Sequence, residues 1–108
     1  MNKKDAMKWV KALRSGKYKQ TKGILKNSKG FCCLGVLCEI NQNAKPNALN
    51  DSISNFRKMG LRSSTGELQD YAPQEWDYPP SLAELNDEYK YNFQEIADVI
   101  QIEYVEGL

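Results

Sequence analysis

Phe31-Cys32-Cys33-Leu34-Gly35-Val36-Leu37-Cys38-Glu39-Ile40 is the stretch on which the fold turns, because Phe31 to Cys38 is the longest apolar run in the chain. Its first residues suit a buried strand, and Leu34 through Ile40 suit one or two turns of buried helix. A run that is apolar throughout gives periodicity nothing to separate the two, but either form places it at the centre of the core. Working outward, Tyr18 to Leu25 and Gly30 to Cys33 predict two short strands of a hairpin around the turn-forming cluster Asn27-Ser28-Lys29-Gly30. Before them, Ala6, Trp9, Val10 and Leu13 fall at i, i+3, i+4 and i+7. That spacing predicts an amphipathic helix over 3–14, with Lys4, Lys8 and Lys11 on its other side and Ser15-Gly16 as its stop.

Downstream, Asn41 to Leu49 is polar, holds Pro46 and reads as a loop. Asn50 or Asp51 then caps a short helix carrying Ile53, Phe56, Arg57 and Met59, ended by Gly60. Leu61 to Leu68 suggests a second hairpin with Ser63-Ser64-Thr65-Gly66 at its tip. Gln69 to Pro80 is an irregular loop with three prolines and the aromatics Tyr71, Trp76 and Tyr78. So long a connection in so small a domain points to a functional or a mobile loop. Ser81 caps a short helix through Leu85 that ends at Asn86-Asp87. Asn92-Phe93-Gln94-Glu95 is a capping box opening a helix whose stripe is Phe93, Ile96, Ala97, Ile100 and Tyr104, with Gln101 to Leu108 expected to fray. The predicted fold is a single small α+β domain over 1–108: an N-terminal helix, short β-hairpins, a buried central segment and a C-terminal amphipathic helix.

Hydrophobic residues are 41% of the chain and charged residues 27%, the proportions of a globular protein. No apolar run approaches the roughly 20 residues of a membrane span, and no continuous apolar h-region follows the basic start Met1-Asn2-Lys3-Lys4-Asp5. A cytoplasmic protein without a membrane partner is expected. The net charge of +1 conceals a strong polarity. Residues 1–30 carry ten Lys/Arg against Asp5, a balance of +9, and residues 67–108 carry eleven Asp/Glu against Lys90, a balance of −10. Three consequences stay open: the two ends pack together and their fields cancel, the basic part forms an anion-binding surface, or complementary patches drive homo-oligomerisation.

The three cysteines, Cys32, Cys33 and Cys38, are odd in number and two are adjacent, which does not suit a disulfide framework. The chain has no histidine, so neither a zinc set nor a Cys–His nucleophile is available, and buried structural thiols are expected. Asn86, Asp87, Glu88 and Asp98 could pair as acid and base or hold Mg²⁺, but helix ends and turns account for them more simply. Glycine-rich phosphate loops are absent. No catalytic residue, metal or cofactor is assigned. The ligand-binding candidates are Arg14, Lys17, Tyr18, Lys19, Gln20 and Lys22, which combine cationic donors for phosphate, an aromatic face for stacking and an amide for a base edge. Tyr71, Trp76 and Tyr78 are the candidate interface anchors.

Two blocks resemble a family of small proteins encoded by tailed phages and prophages. The first runs Trp9-Val10-Lys11-Ala12-Leu13-Arg14-Ser15-Gly16-Lys17-Tyr18-Lys19-Gln20 and continues through Lys22-Gly23-Ile24-Leu25 to Phe31-Cys32-Cys33-Leu34-Gly35-Val36-Leu37-Cys38. The second is Leu82-Ala83-Glu84-Leu85-Asn86-Asp87 with Phe93-Gln94-Glu95-Ile96-Ala97-Asp98-Val99-Ile100. The resemblance covers about half of the chain and implies a phage accessory gene acting in the host cytoplasm, without implying a reaction. The expected function is therefore binding rather than catalysis: counter-defence by sequestering a nucleotide-derived small molecule. An inhibitor that covers a host immune enzyme with an acidic or aromatic surface is the alternative, and Glu95, Asp98 and Glu103 are the acids whose reversal would separate the two. Nucleic-acid binding through the basic N-terminal segment is a third possibility, disfavoured by the near-neutral net charge.

Overall fold

The helix of the N-terminal segment forms where its apolar spacing puts it. In a computed structural model of the protein, which describes residues 1–40, 61, 65–69, 71 and 79–106, α1 spans Lys3–Arg14. The Asn2 side chain caps it by accepting from the Asp5 N–H at 2.8 Å. Asp5 in the first turn and Lys11 and Arg14 in the last match the helix dipole. Ala6, Trp9, Val10 and Leu13 are all buried, and Gly16 beyond the end takes the left-handed conformation, φ +77°.

The decisive apolar stretch divides between strand and helix. Gly30–Phe31 is strand β2, paired antiparallel with β1, Lys26–Asn27, in the register Lys26↔Phe31 and Asn27↔Gly30. Helix α2, Cys33–Ile40, follows at once and buries Cys33 through Cys38 without a gap. A helix apolar on every side belongs in the interior. The Trp9 indole N–H donates to the Cys33 carbonyl at 3.0 Å and ties α1 to the first turn of α2.

The first hairpin is shorter than the sequence suggests. Tyr18 to Leu25 does not form a strand. Gly23 turns the chain at φ +75°, and only Gln20 makes a β-bridge, a parallel one with Phe31. The Thr21 N–H donates to the Phe31 carbonyl, the Phe31 N–H to Lys19 and the Cys32 N–H to Leu25, so the segment lies flat against β2 and the start of α2. Two glycines permit this approach. A Cβ on Gly30 would sit 2.1 Å from the Lys19 carbonyl oxygen, and one on Gly35 would sit 1.7 Å from that of Leu25.

The C-terminal half is built from capped helices. Helix α3, Leu82–Asp87, carries a capping box of Ser81 and Glu84, and α4, Phe93–Ile100, carries one of Asn92 and Glu95. Phe93, Ile96, Ala97 and Ile100 are buried, and α4 packs along α1. The fraying expected over Gln101 to Leu108 is not seen through Glu106, and 107–108 lie outside the described residues. Gln101–Glu106 continues as a π-helical turn with Glu103 and Tyr104 buried. The Glu103 carboxylate accepts from the backbone N–H groups of Gln69 and Tyr71 at 2.9 and 3.0 Å, which anchors that turn to the preceding loop. Of the expected hairpin at 61–68, Glu67 makes an isolated antiparallel bridge with Ser81. Its tip at 63–64, the loop at 41–49 and the helix at 50–60 lie outside the described residues. Among the described residues no helix is long and apolar enough to cross a membrane.

The two kinds of glycine separate in a stability measurement. Gly35→Ala forces a methyl group into the Leu25 backbone and is expected to cost about 3 kcal/mol. Gly16→Ala meets open space and bears only the left-handed strain, ~1 kcal/mol. Urea unfolding of the two variants should give that order.

Candidate functional site

Asn86 is the polar group at the centre of the molecule. It is fully buried. Its carbonyl oxygen accepts from Gln20 Nε2 at 2.8 Å and from the Cys33 N–H at 3.2 Å. Its amide nitrogen donates to the Thr21 carbonyl at 2.9 Å and to Asp87 Oδ1 at 2.8 Å. Gln20 Nε2 also donates to the Tyr91 carbonyl at 2.8 Å, and Asp87 Oδ1 accepts from the Gly23 N–H at 3.0 Å. A neutral amide with every bond made offers no proton and no nucleophile. This cluster is structural, and Asn86 does more than end a helix.

The thiols are equally quiet. Cys32, Cys33 and Cys38 are free and buried. Burial pushes all three pKa values up: that of Cys33 well above its ordinary value of 9.0, and that of Cys38 to about 11. The neighbouring Cys32 adds to the shift of both, while the Gly35 N–H, 3.4 Å from the Cys32 sulfur, pulls Cys32 partly back. At neutral pH these are protonated core side chains, not activated nucleophiles. Among the described residues no three His, Cys, Asp or Glu side chains converge as a metal site would require.

The structure distributes the predicted ligand-binding residues between inner and outer duties. The Arg14 guanidinium donates to Asp98 Oδ1 at 2.5 Å. The Gln20 amide is turned inward onto Asn86 and Tyr91, and the half-buried Tyr18 ring stands edge-on to Phe31 at 5.2 Å. Lys17, Lys19 and Lys22 are exposed. An anion approaching this segment therefore meets three lysines, without the free amide and stacking face the sequence promised.

A concave surface lies elsewhere. Tyr71, Tyr91, Glu95, Asp98, Val99 and Ile102 line an open cleft of about 330 Å³. The Tyr71 and Tyr91 hydroxyls are hydrogen-bonded to each other at 2.8 Å and form one wall. Ile102, 41% exposed, supplies the apolar surface beside the buried Val99, and Glu95 and Asp98 supply carboxylates, that of Asp98 already paired with Arg14 and that of Glu95 accepting the Asn92 N–H. Tyr71 is the predicted interface residue that takes part, whereas Trp76 and Tyr78 lie outside the described residues. Glu103, grouped by sequence with the acidic face, is buried and serves the backbone of Gln69 and Tyr71. Tyr91 and Ile102 went unnoticed in the sequence. A signal existed: once the Asn92 cap fixes the start of α4, Glu95, Asp98, Val99 and Ile102 fall at i, i+3, i+4 and i+7, a second stripe beside the core one.

Residues 1–76 match a family described as a domain of unknown function (DUF8296). That is more than half of the chain, and the protein belongs to this family. No curated protein and no solved structure matches.

Two measurements test this account. Asn86→Ala leaves the Cys33 N–H and the Thr21 carbonyl without their buried partner and should cost about 3 kcal/mol in urea unfolding. The thiols predict an alkaline loss of stability. Their folded pKa values are raised, so below pH 9.0 folded and unfolded chains hold the same thiol protons. Above it the unfolded chain releases protons that the folded one keeps, and stability falls towards pH 11. Cys38→Ala should remove on the order of 2 kcal/mol of that fall, read from urea midpoints across the alkaline range.

Proposed function

We propose that this member of the family acts by binding another protein, through the cleft of Tyr71, Tyr91, Glu95, Asp98, Val99 and Ile102. The single observation that carries this is the composition of the cleft. Tyrosines, aliphatic surface and two carboxylates meet in a concave patch, the mixture from which protein interfaces draw their anchors. Its chemistry fits a segment that presents a basic side chain beside an apolar one. The cation would lie against Glu95 and the tyrosine rings beside the Arg14–Asp98 pair, and the apolar group against Ile102. The inert thiols and the satisfied Asn86 amide support a non-catalytic role. The phage-like blocks suggest the setting, a phage accessory protein directed at a host component, with counter-defence as the expected purpose.

The three exposed lysines, Lys17, Lys19 and Lys22, keep the sequestration of a nucleotide-derived anion as the competing function. Capture from bacterial extract separates the two. Immobilised wild type and a Lys17→Glu/Lys19→Glu/Lys22→Glu variant are expected to retain the same host protein. An Asp98→Lys/Ile102→Ser variant should bind it at least about tenfold more weakly on titration, the scale of losing one interface anchor. The reverse split, or a stoichiometric nucleotide-like mass on the wild type in native mass spectrometry, would transfer the function to the lysines.

A further inference from the structure

Two of the large hydrophobic side chains that the fold leaves exposed stand in surroundings of opposite charge. Ile24 is 50% exposed and Ile102 is 41% exposed. Ile24 projects between Lys22 and Lys26 on the basic segment, and Ile102 belongs to the acidic cleft. The position of Ile24 is not that of a loose loop. The Gly23 N–H before it is held by Asp87 at 3.0 Å, and the Leu25 carbonyl after it accepts from the Cys32 N–H at 3.2 Å against Gly35. Anchored on both sides, the side chain is presented outward with little backbone freedom left to lose on binding. Lys22 makes no ion pair among the described residues, and the Lys26 ammonium lies 5.3 Å from the Phe31 ring centroid and 3.7 Å from Glu39.

We propose that the cleft is occupied by a second copy of this chain, whose Lys22-Gly23-Ile24-Leu25-Lys26 hook seats Ile24 against the exposed Ile102 and sets Lys22 beside Glu95, next to the Arg14–Asp98 pair. The proposal rests on the protein-binding role of the cleft and gives the free protein a weak occupant that a host partner would displace. The match is of charge and kind: the chain is +9 over residues 1–30 and −10 over residues 67–108, and the hook offers the basic-plus-apolar pair that the cleft is lined to accept. Hook and cleft are different patches, so the contact is heterologous and either closes into a ring or propagates. One side chain in a cleft of about 330 Å³ is a small contact, which places the association at the weak, concentration-dependent end. Its charged part weakens with salt.

Sedimentation velocity of the full chain over a concentration series is the test. The wild type is expected to exceed the monomer mass as concentration rises, and to do so less at high salt. Ile24→Asp destroys the hook and Ile102→Asp the cleft, and each variant alone should remain monomeric. An equimolar mixture of the two should regain association, since one supplies an intact cleft and the other an intact hook. Circular dichroism and urea unfolding matching the wild type show that both variants are folded. A wild type monomeric throughout overturns the second copy as occupant, and the capture experiment still decides whether the cleft binds another protein. Association that survives either substitution, or a mixture of folded variants that stays monomeric, also overturns the hook-in-cleft contact.

Discussion

The buried amide of Asn86 is the constraint on which the rest of the structure depends. Residues 18–25 have almost no regular structure of their own, so their place is set by what they bond to. Part of that is the backbone ladder to Phe31 and Cys32, and the rest is Asn86, which reaches Gln20, Thr21 and the first N–H of α2 from the end of α3. An amide suits this position because it offers two donors and an acceptor without a charge to desolvate. Through Gln20 the same network reaches the Tyr91 carbonyl, and through Asp87 it reaches Gly23. One polar knot thus fixes both a wall of the acidic cleft and the base of the basic hook.

The charge polarity of the chain is folded without being cancelled. The basic N-terminal helix and the acidic C-terminal helix do pack together, but through Trp9, Val10, Leu13, Ile96 and Ile100. The Arg14–Asp98 pair joins them at the surface, with side chains 37% and 67% exposed, where an ion pair contributes about 0–1 kcal/mol. The Lys26–Glu39 contact is longer and also exposed. Most of the described lysines and carboxylates therefore keep facing water. The hydrophobic contact draws the two ends together, and the charges remain available to whatever approaches.

Legibility in the sequence followed the range of the interaction. Helix α1, the Ser81 cap, the Asn92–Glu95 capping box and the apolar face of α4 were readable because their signals lie within four residues of each other. The split of Phe31 to Ile40 into strand and helix was only half readable, for nothing in an apolar run marks the boundary. Tyr18 to Leu25 misled because its composition suits a strand. What excludes one is the turn at Gly23 and the approach of Leu25 to the bare backbone of Gly35, a contact across ten residues. Asn86 and Glu103 misled for the same reason. An Asn-Asp pair at a helix end and a Glu near a terminus are ordinary turn and surface residues until partners 66 and 34 positions away bury them. The cleft needed both kinds of information, a local stripe on α4 and the long-range placing of Tyr71 against Tyr91.

The same comparison bears on what the protein does. Catalysis needs a group held away from its resting state, such as a thiol pushed towards thiolate or a carboxylate poised against a base. The perturbed groups here are moved the other way: the thiols are held protonated by burial, and the buried polar side chains Asn86 and Glu103 are committed to backbone partners. The hook sequence and the Gln20 that anchors its base lie within residues 1–76 matched to the family, whereas the cleft helix lies beyond them. The interior polar bonds of the described residues fix two exposed surfaces, one basic with Ile24 and one acidic with Ile102. The rigidity of those surfaces is the property the chain's packing produces.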